Sequence, residues 1–146
     1  MKPADFFTHE DKHLITEAIK GAEKDTSGEI RVHIELKCNE DVLDRAAYIF
    51  EKLQMHQTKL RNGVLFYLAI RDKKFAILGD AGINNVTPET FWDDIKETML
   101  SFFRDQKFAE GLGQGIRMAG KELKSHFPYQ RNDVNELPDE ISFSDN

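Results

Sequence analysis

Arg61-Asn62-Gly63-Val64-Leu65-Phe66-Tyr67-Leu68-Ala69-Ile70-Arg71-Asp72-Lys73-Lys74-Phe75-Ala76-Ile77-Leu78-Gly79-Asp80-Ala81-Gly82-Ile83 is the stretch on which the fold turns. Two short apolar runs, 64–70 and 75–78, are joined by the charged link Arg71-Asp72-Lys73-Lys74, which is the pattern of a β-hairpin. Neither run alternates with polar residues, so both strands are expected to be buried on both faces, as in a sheet lying between helices. A hairpin returns the chain to its starting point. Arg61-Asn62-Gly63 should therefore lie beside Gly79-Asp80-Ala81-Gly82, and this polar, acidic, glycine-rich end is where function is sought.

Working back from the hairpin, residues 29–36 alternate strictly. Ile30, Val32, Ile34 and Leu36 form one covered face of a strand, and Glu29, Arg31, His33 and Glu35 form the other. That polar face is expected to be partly wet, at a sheet edge or beside a cleft, with His33 and Glu35 read as solvated side chains. Between this strand and the hairpin, Asn39-Glu40-Asp41 caps a helix whose apolar stripe runs through Val42, Leu43, Ala46, Tyr48 or Ile49, Phe50 and Leu53. Strand, helix and strand make a right-handed βαβ unit with parallel strands. Both strands then start at the same end of the sheet, the end at which the hairpin's second strand leaves it. Glu29, Asn62 and Asp80, from three distant segments, should meet at one rim with Arg31 and Arg61 close by. Carboxylates and an amide oxygen suit a hard divalent cation, Ca²⁺ or Mg²⁺, better than zinc. The alternative is a plain turn in which Asp80 caps the backbone.

The N-terminal segment reads as a helix capped by Thr8, with Leu14, Ile15, Ala18, Ile19 and Ala22 on one face and an end near Lys24. Its start, His9-Glu10-Asp11-Lys12-His13, matches the zinc-protease pattern His-Glu-x-x-His. A genuine site of that kind sits mid-helix and faces a cleft, whereas these residues occupy a solvated first turn, so the pattern is read as two surface histidines and a capping acid. Beyond the hairpin, Thr87-Pro88 is expected to start a helix with Trp92, Ile95, Met99 and Phe102 on its sheet-facing side, and Asp93 near enough to face the Asp80 loop. A last helix carries Phe108, Leu112, Ile116, Ala119, Leu123 and Phe127. Gly111-Leu112-Gly113-Gln114-Gly115 follows no strand, so it is read as a close helix contact, not a phosphate loop, and Glu110 as an acid that either reaches the rim or favours the helix dipole.

The 146 residues fit one domain, here residues 1–128, followed by an acidic, loosely ordered stretch at 129–146 that is expected to be mobile or loosely docked. A formal net charge of −6 supplies no basic face for nucleic acid. The seven-residue run 64–70 is far too short for a membrane span, and the first residues contain no apolar signal core. Cys38 is the only cysteine. A lone thiol suits a reducing compartment, and a cytoplasmic protein is expected.

Ser27-Gly28-Glu29-Ile30-Arg31-Val32, Arg61-Asn62-Gly63-Val64-Leu65, Gly79-Asp80-Ala81-Gly82-Ile83 followed by Trp92, and Glu110-Gly111-Leu112 together resemble the TPM domain family, in its stand-alone bacterial form, from about Phe6 to Phe127. The resemblance implies a three-layer α/β/α sandwich, here a small mixed sheet of a βαβ unit plus hairpin flanked by about four helices. It also implies phosphatase activity on phosphomonoesters and binding of a divalent cation, often calcium, at the Asp80 loop. Carried onto this chain, Asp80, Glu29, Asn62, Asp93 and Glu110 are the candidate metal ligands, and Asp80, Arg31 and Arg61 the candidate catalytic groups, the arginines neutralising phosphate charge. No nucleophile of a known phosphatase class is legible. A non-catalytic, calcium-binding module that engages an unidentified protein partner stands beside the enzyme reading.

Overall fold

The computed structural model describes residues 2–129 and 135–144. Four strands form one mixed sheet in the order β3-β2-β1-β4, with β1 at Glu29–Glu35, β2 at Gly63–Ala69, β3 at Lys74–Gly79 and β4 at Ser142–Phe143. β1 and β2 run parallel, with Glu29 opposite Gly63, and β2 and β3 form the antiparallel hairpin, with Val64 opposite Gly79. The βαβ unit and the hairpin thus stand as the apolar runs imply. β2 is buried along its whole length, whereas β3, an edge strand, leaves Lys74 exposed and Phe75 and Leu78 half-buried.

Six α-helices among the described residues surround the sheet: α1 Pro3–Phe6, α2 His9–Glu23, α3 Val42–Lys52, α4 Ala81–Asn84, α5 Asp93–Arg104 and α6 Phe108–His126. Two, α1 and α4, are single turns. α2 starts with reciprocal hydrogen bonds: Asp11 N–H donates to Thr8 Oγ1 at 3.0 Å, and Thr8 N–H donates to the Asp11 carboxylate at 3.2 Å. His9 opens this helix, and both it and His13 are exposed, as surface histidines are. The amides of Leu43 and Asp44 donate to Asp41, which caps α3.

Period-two alternation decides which residues meet which layer. Ile30, Val32, Ile34, Val64, Phe66, Leu68 and Ile77 pack under α2, α5 and α6, forming the larger core with Ile19, Met99 and Ile116. Leu65, Tyr67, Ala69 and Ala76 form the smaller core with Ala46, Ile49 and Phe50 of α3, Met55 and Leu137. The layers are therefore helix, sheet, helix.

Beyond the hairpin the structure departs from the sequence expectation at Thr87. Thr87 does not cap a helix; its hydroxyl donates backward to the Ile83 carbonyl at 2.8 Å, residues 87–92 turn, and α5 begins at Asp93. The acidic stretch, where it is described, is held more firmly than expected. Residues 130–134 and 145–146 of it lie outside the described residues, while 135–144 are docked: Leu137 is buried and β4 pairs in parallel with β1, His33 opposite Ser142. Composition missed this because the anchoring partners are buried polar side chains on β1, not a run of apolar residues in the stretch itself.

Glycines bring α6 against its neighbours. A Cβ on Gly120 would lie 2.6 Å from Ala22 Cβ and 2.9 Å from Ala22 Cα, on a helix that cannot yield as a flexible side chain would. Gly120→Ala is accordingly expected to lower stability by about 1–3 kcal/mol, despite alanine's better helix propensity, as read by urea unfolding. An unchanged or raised midpoint would mean that the two helices are not in this contact.

Candidate functional site

The rim is stitched from three segments by backbone bonds. Glu29 N–H donates to the Asn62 carbonyl at 3.2 Å, Asp80 N–H to the Gly63 carbonyl at 2.9 Å, and Gly82 N–H to the Arg61 carbonyl at 2.8 Å. Gly82 is needed there because a Cβ would collide with the carbonyl oxygens of Leu60 and Arg61. Asp80 is buried and serves two partners. It caps α4 by accepting from Ala81 N–H at 2.7 Å, as the turn alternative had it, and it binds Arg61 through both oxygens, with Nε at 2.7 Å and Nη2 at 2.8 Å. This bidentate fork raises the Arg61 pKa further above its ordinary value. The arginine itself stays half in solvent, 51% exposed, on a left-handed backbone with φ of 51°.

Asn62 is buried, donates its backbone N–H to the Thr58 hydroxyl at 3.2 Å, and donates its side-chain amide to the Ser27 carbonyl at 3.3 Å. Glu29 is buried as well, and its carboxylate accepts from Glu136 N–H at 2.5 Å, while Glu136 in turn accepts from Lys59 N–H at 3.0 Å. Around Glu29 lies a cavity of about 440 Å³ lined by Glu23, Asp139, Lys20, Lys24 and Tyr129 among others. Glu23 accepts from Ile30 N–H at 2.9 Å and is hydrogen-bonded to Asp139. Burial, then the bond to Asp139, pushes the Glu23 carboxyl up to about 10, and burial pushes that of Glu29 up to about 7.

The remaining candidates are scattered. Arg31, one pair along β1 from Glu29 on the same face, is half-buried, and its Nε has no hydrogen-bond partner among the described residues. Burial lowers its pKa, partly offset by Glu140. Asp93 is exposed at the first turn of α5, next to Trp92, which touches Gly79 from the opposite face of the sheet. Glu110 is exposed in the first turn of α6, beside the Phe103–Phe108 contact. The other end of that helix reaches the rim, where Ser27 N–H bonds the Phe127 carbonyl at 2.9 Å, so Glu110 sits about 25 Å away at 1.5 Å per residue.

Further along β1 the polar face is buried, not wet. Glu35 is fully buried and receives Arg45 Nε at 2.9 Å and Nη2 at 2.5 Å, with Tyr67 and Ser144 hydroxyls completing its shell. Burial alone would raise its pKa, but the bonds from Arg45, His33, Ser144 and Tyr67 outweigh that and hold the carboxyl well below the usual range. His33 bonds Ser142 and Ser144 through its two ring nitrogens, each at 2.9 Å. The solvated reading of His33 and Glu35 failed because alternation reports the face of a residue, not what later sequence lies over it. Arg45 and the two serines had no distinguishing signal; Glu23, seven residues before Ile30, had only its place at the end of α2.

A parallel pair extended by a hairpin, wrapped in helices and carrying its acids at the rim where the strands start, defines a small α/β/α domain. The chain belongs to the TPM domain family, whose model matches residues 1–122. It is similar to the BA42 protein of the psychrophilic bacterium Bizionia argentinensis, whose NMR structure has 47% identity and a TM-score of 0.90 over 95% of this chain and 96% of that one. The fold recurs in the N-terminal domain of a P. gingivalis protein, with 16% identity and a TM-score of 0.68 over 86% and 83% of the two chains. It recurs again in the N-terminal domain of the cg2496 protein of Corynebacterium glutamicum, with 12% identity and a TM-score of 0.61 over 96% and 81%. Among curated proteins none matches significantly. No helix among the described residues is long and apolar enough to cross a membrane.

As to a metal, no three His, Cys, Asp or Glu side chains among the described residues gather closely enough to hold an ion by themselves. The rim's donors are nevertheless hard oxygens of the right kind, from Asp80, Asn62, Glu29 and nearby carbonyls, with Asp80 engaged by Arg61.

The two groups of carboxyls have opposite pH signatures. Glu23 and Glu29 hold protons more tightly in the fold than in the unfolded chain, so their contribution is complete below about 4.5 and is lost as pH rises towards about 7 for Glu29 and about 10 for Glu23. Glu35 behaves conversely, its contribution being lost as pH falls below about 4.5. Unfolding free energy measured between pH 5 and 9 should therefore fall by up to about 1.4 kcal/mol per pH unit for each titrating group. The double variant Glu23→Gln, Glu29→Gln should flatten that slope; an unaltered slope would assign the titration elsewhere.

Proposed function

We propose that this TPM domain is a binding module whose rim takes Ca²⁺ or Mg²⁺ on Asp80 when Arg61 leaves it. The supporting observation is the Asp80–Arg61 pair itself: a buried carboxylate, already oriented by Ala81 N–H, whose positive partner is a half-exposed side chain free to swing outward. A divalent ion in place of the guanidinium keeps the carboxylate neutralised and draws further oxygens from Asn62, from backbone carbonyls and water, and from Glu29 once Glu136 releases it. Asp93 and Glu110 take no part in this reading. The ion fixes the Asp80 turn and α4 for an as yet unidentified protein partner. The single thiol, Cys38, is buried, which suits a reducing compartment, and we place the protein in the cytoplasm.

A catalytic reading draws on one further observation, the Nε of Arg31, on the same face as Glu29 and without a hydrogen-bond partner among the described residues. Together with Arg61 it would receive the charge of a phosphomonoester, with the cation activating a water.

Isothermal titration of Ca²⁺ separates these ideas. Asp80→Asn should weaken binding at least about tenfold, and Arg61→Ala should tighten it by removing the internal competitor. Saturable binding in none of the three proteins, or equal binding to wild type and Asp80→Asn, would refute the module. Calcium-dependent turnover of a chromogenic phosphomonoester by wild type, absent from Asp80→Asn, would favour the enzyme.

A further inference from the structure

At the end of the molecule opposite the rim, a cavity of about 260 Å³ opens between the β2–β3 turn and the α5–α6 turn. Its apolar wall comes from four elements: Leu68 of β2, Phe75 of β3, Leu100 and Phe103 of α5, and Phe108 of α6. The rings brace one another, Phe75 meeting Phe103 edge-to-face at 5.1 Å between centroids and Phe103 lying 5.4 Å from Phe108. The wall is not sealed, for Leu100 remains 38% exposed.

The remaining lining is polar: Lys73, Arg104 and Gln106, all exposed. Lys73 and Gln106 hold the two flanking turns in left-handed backbone, at φ of 53° and 63°, a region that non-glycine residues enter only at a cost. Among the described residues neither Lys73 nor Arg104 forms an ion pair. In a chain of net charge −6, two free cations beside an aromatic cavity run against the overall sign.

We propose that this pocket binds a small carboxylate bearing an aromatic or short aliphatic group. The apolar part lies against Phe75, Phe103 and Phe108, and the carboxylate meets the guanidinium fork of Arg104 with Lys73 as a second charge. The size agrees: a dry cavity of about 150 Å³ is enough for benzene, so this one leaves room for a short charged arm. The pocket owes nothing to the rim, and its test is independent of any cation.

The experiment is a titration of the ¹⁵N-labelled full chain with phenylpropionate, followed by amide shifts and repeated with the uncharged phenylpropanol. Saturable shifts at Phe75, Leu100, Phe103 and Phe108 are expected. The dissociation constant should rise roughly fivefold or more for phenylpropanol and for the double variant Lys73→Ala, Arg104→Ala, whose side chains are exposed and unneeded for packing. Asp80→Asn should bind phenylpropionate as wild type does. Shifts that are scattered or still rising linearly at about 10 mM, where a millimolar site would be largely filled, would overturn the proposal. So would a double variant that binds phenylpropionate as tightly as wild type.

Discussion

A fully buried carboxylate, Glu35, sets the terms for one whole side of this molecule. An ionised group removed from water must be paired and hydrogen-bonded, and removing one partner of such a buried pair costs about 3–5 kcal/mol in general. Here the requirement is met by Arg45 from α3, Tyr67 from β2 and Ser144 from the C-terminal stretch. The three partners come from helix, sheet and terminal segment, so one charge fixes the seat of α3 on the sheet and draws the acidic end of the chain across β1. Leu137 adds apolar burial to the same layer. With β4 in place, β1 becomes an inner strand, and the face that looked solvated becomes an interior.

The rim inherits its character from that arrangement. Because the terminal segment crosses β1, Glu29 is bonded by Glu136 and shares its cavity with Asp139. On the other side of Asn62, Asp80 is held by Arg61 and by the start of α4. The acids at the rim are thus each engaged within the fold, Glu23 by Ile30 N–H, Glu29 by Glu136 N–H and Asp80 by the Arg61 guanidinium.

Much of this was legible in the sequence, and the reason is periodicity. Unbroken apolar runs either side of Arg71-Asp72-Lys73-Lys74 gave the hairpin, strict alternation at 29–36 gave β1, and the helix between them made the parallel crossover obligatory. Topology then brought Glu29, Asn62, Arg61 and Asp80 to one end. It did not tell which face each side chain takes or what pairs with it, so the Arg61–Asp80 fork was unforeseen. Asp93 and Glu110 were placed by nearness in sequence or by motif order, and neither measures distance along a helix that spans the domain. The docked segment escaped because its information is divided: the serines, Leu137 and Glu136 mean nothing until the polar face of β1 is known to be buried.

That division has a consequence in time. His33 and Ser142 are 109 positions apart, so at about 5–20 residues per second a ribosome finishes the histidine many seconds before its hydroxyl partners exist. Throughout that interval the outer edge of β1 is open and its charged face is hydrated. A nascent chain in this state offers an unpaired strand to its neighbours on the same messenger, and crowded translation is the circumstance in which mispairing between copies should first show.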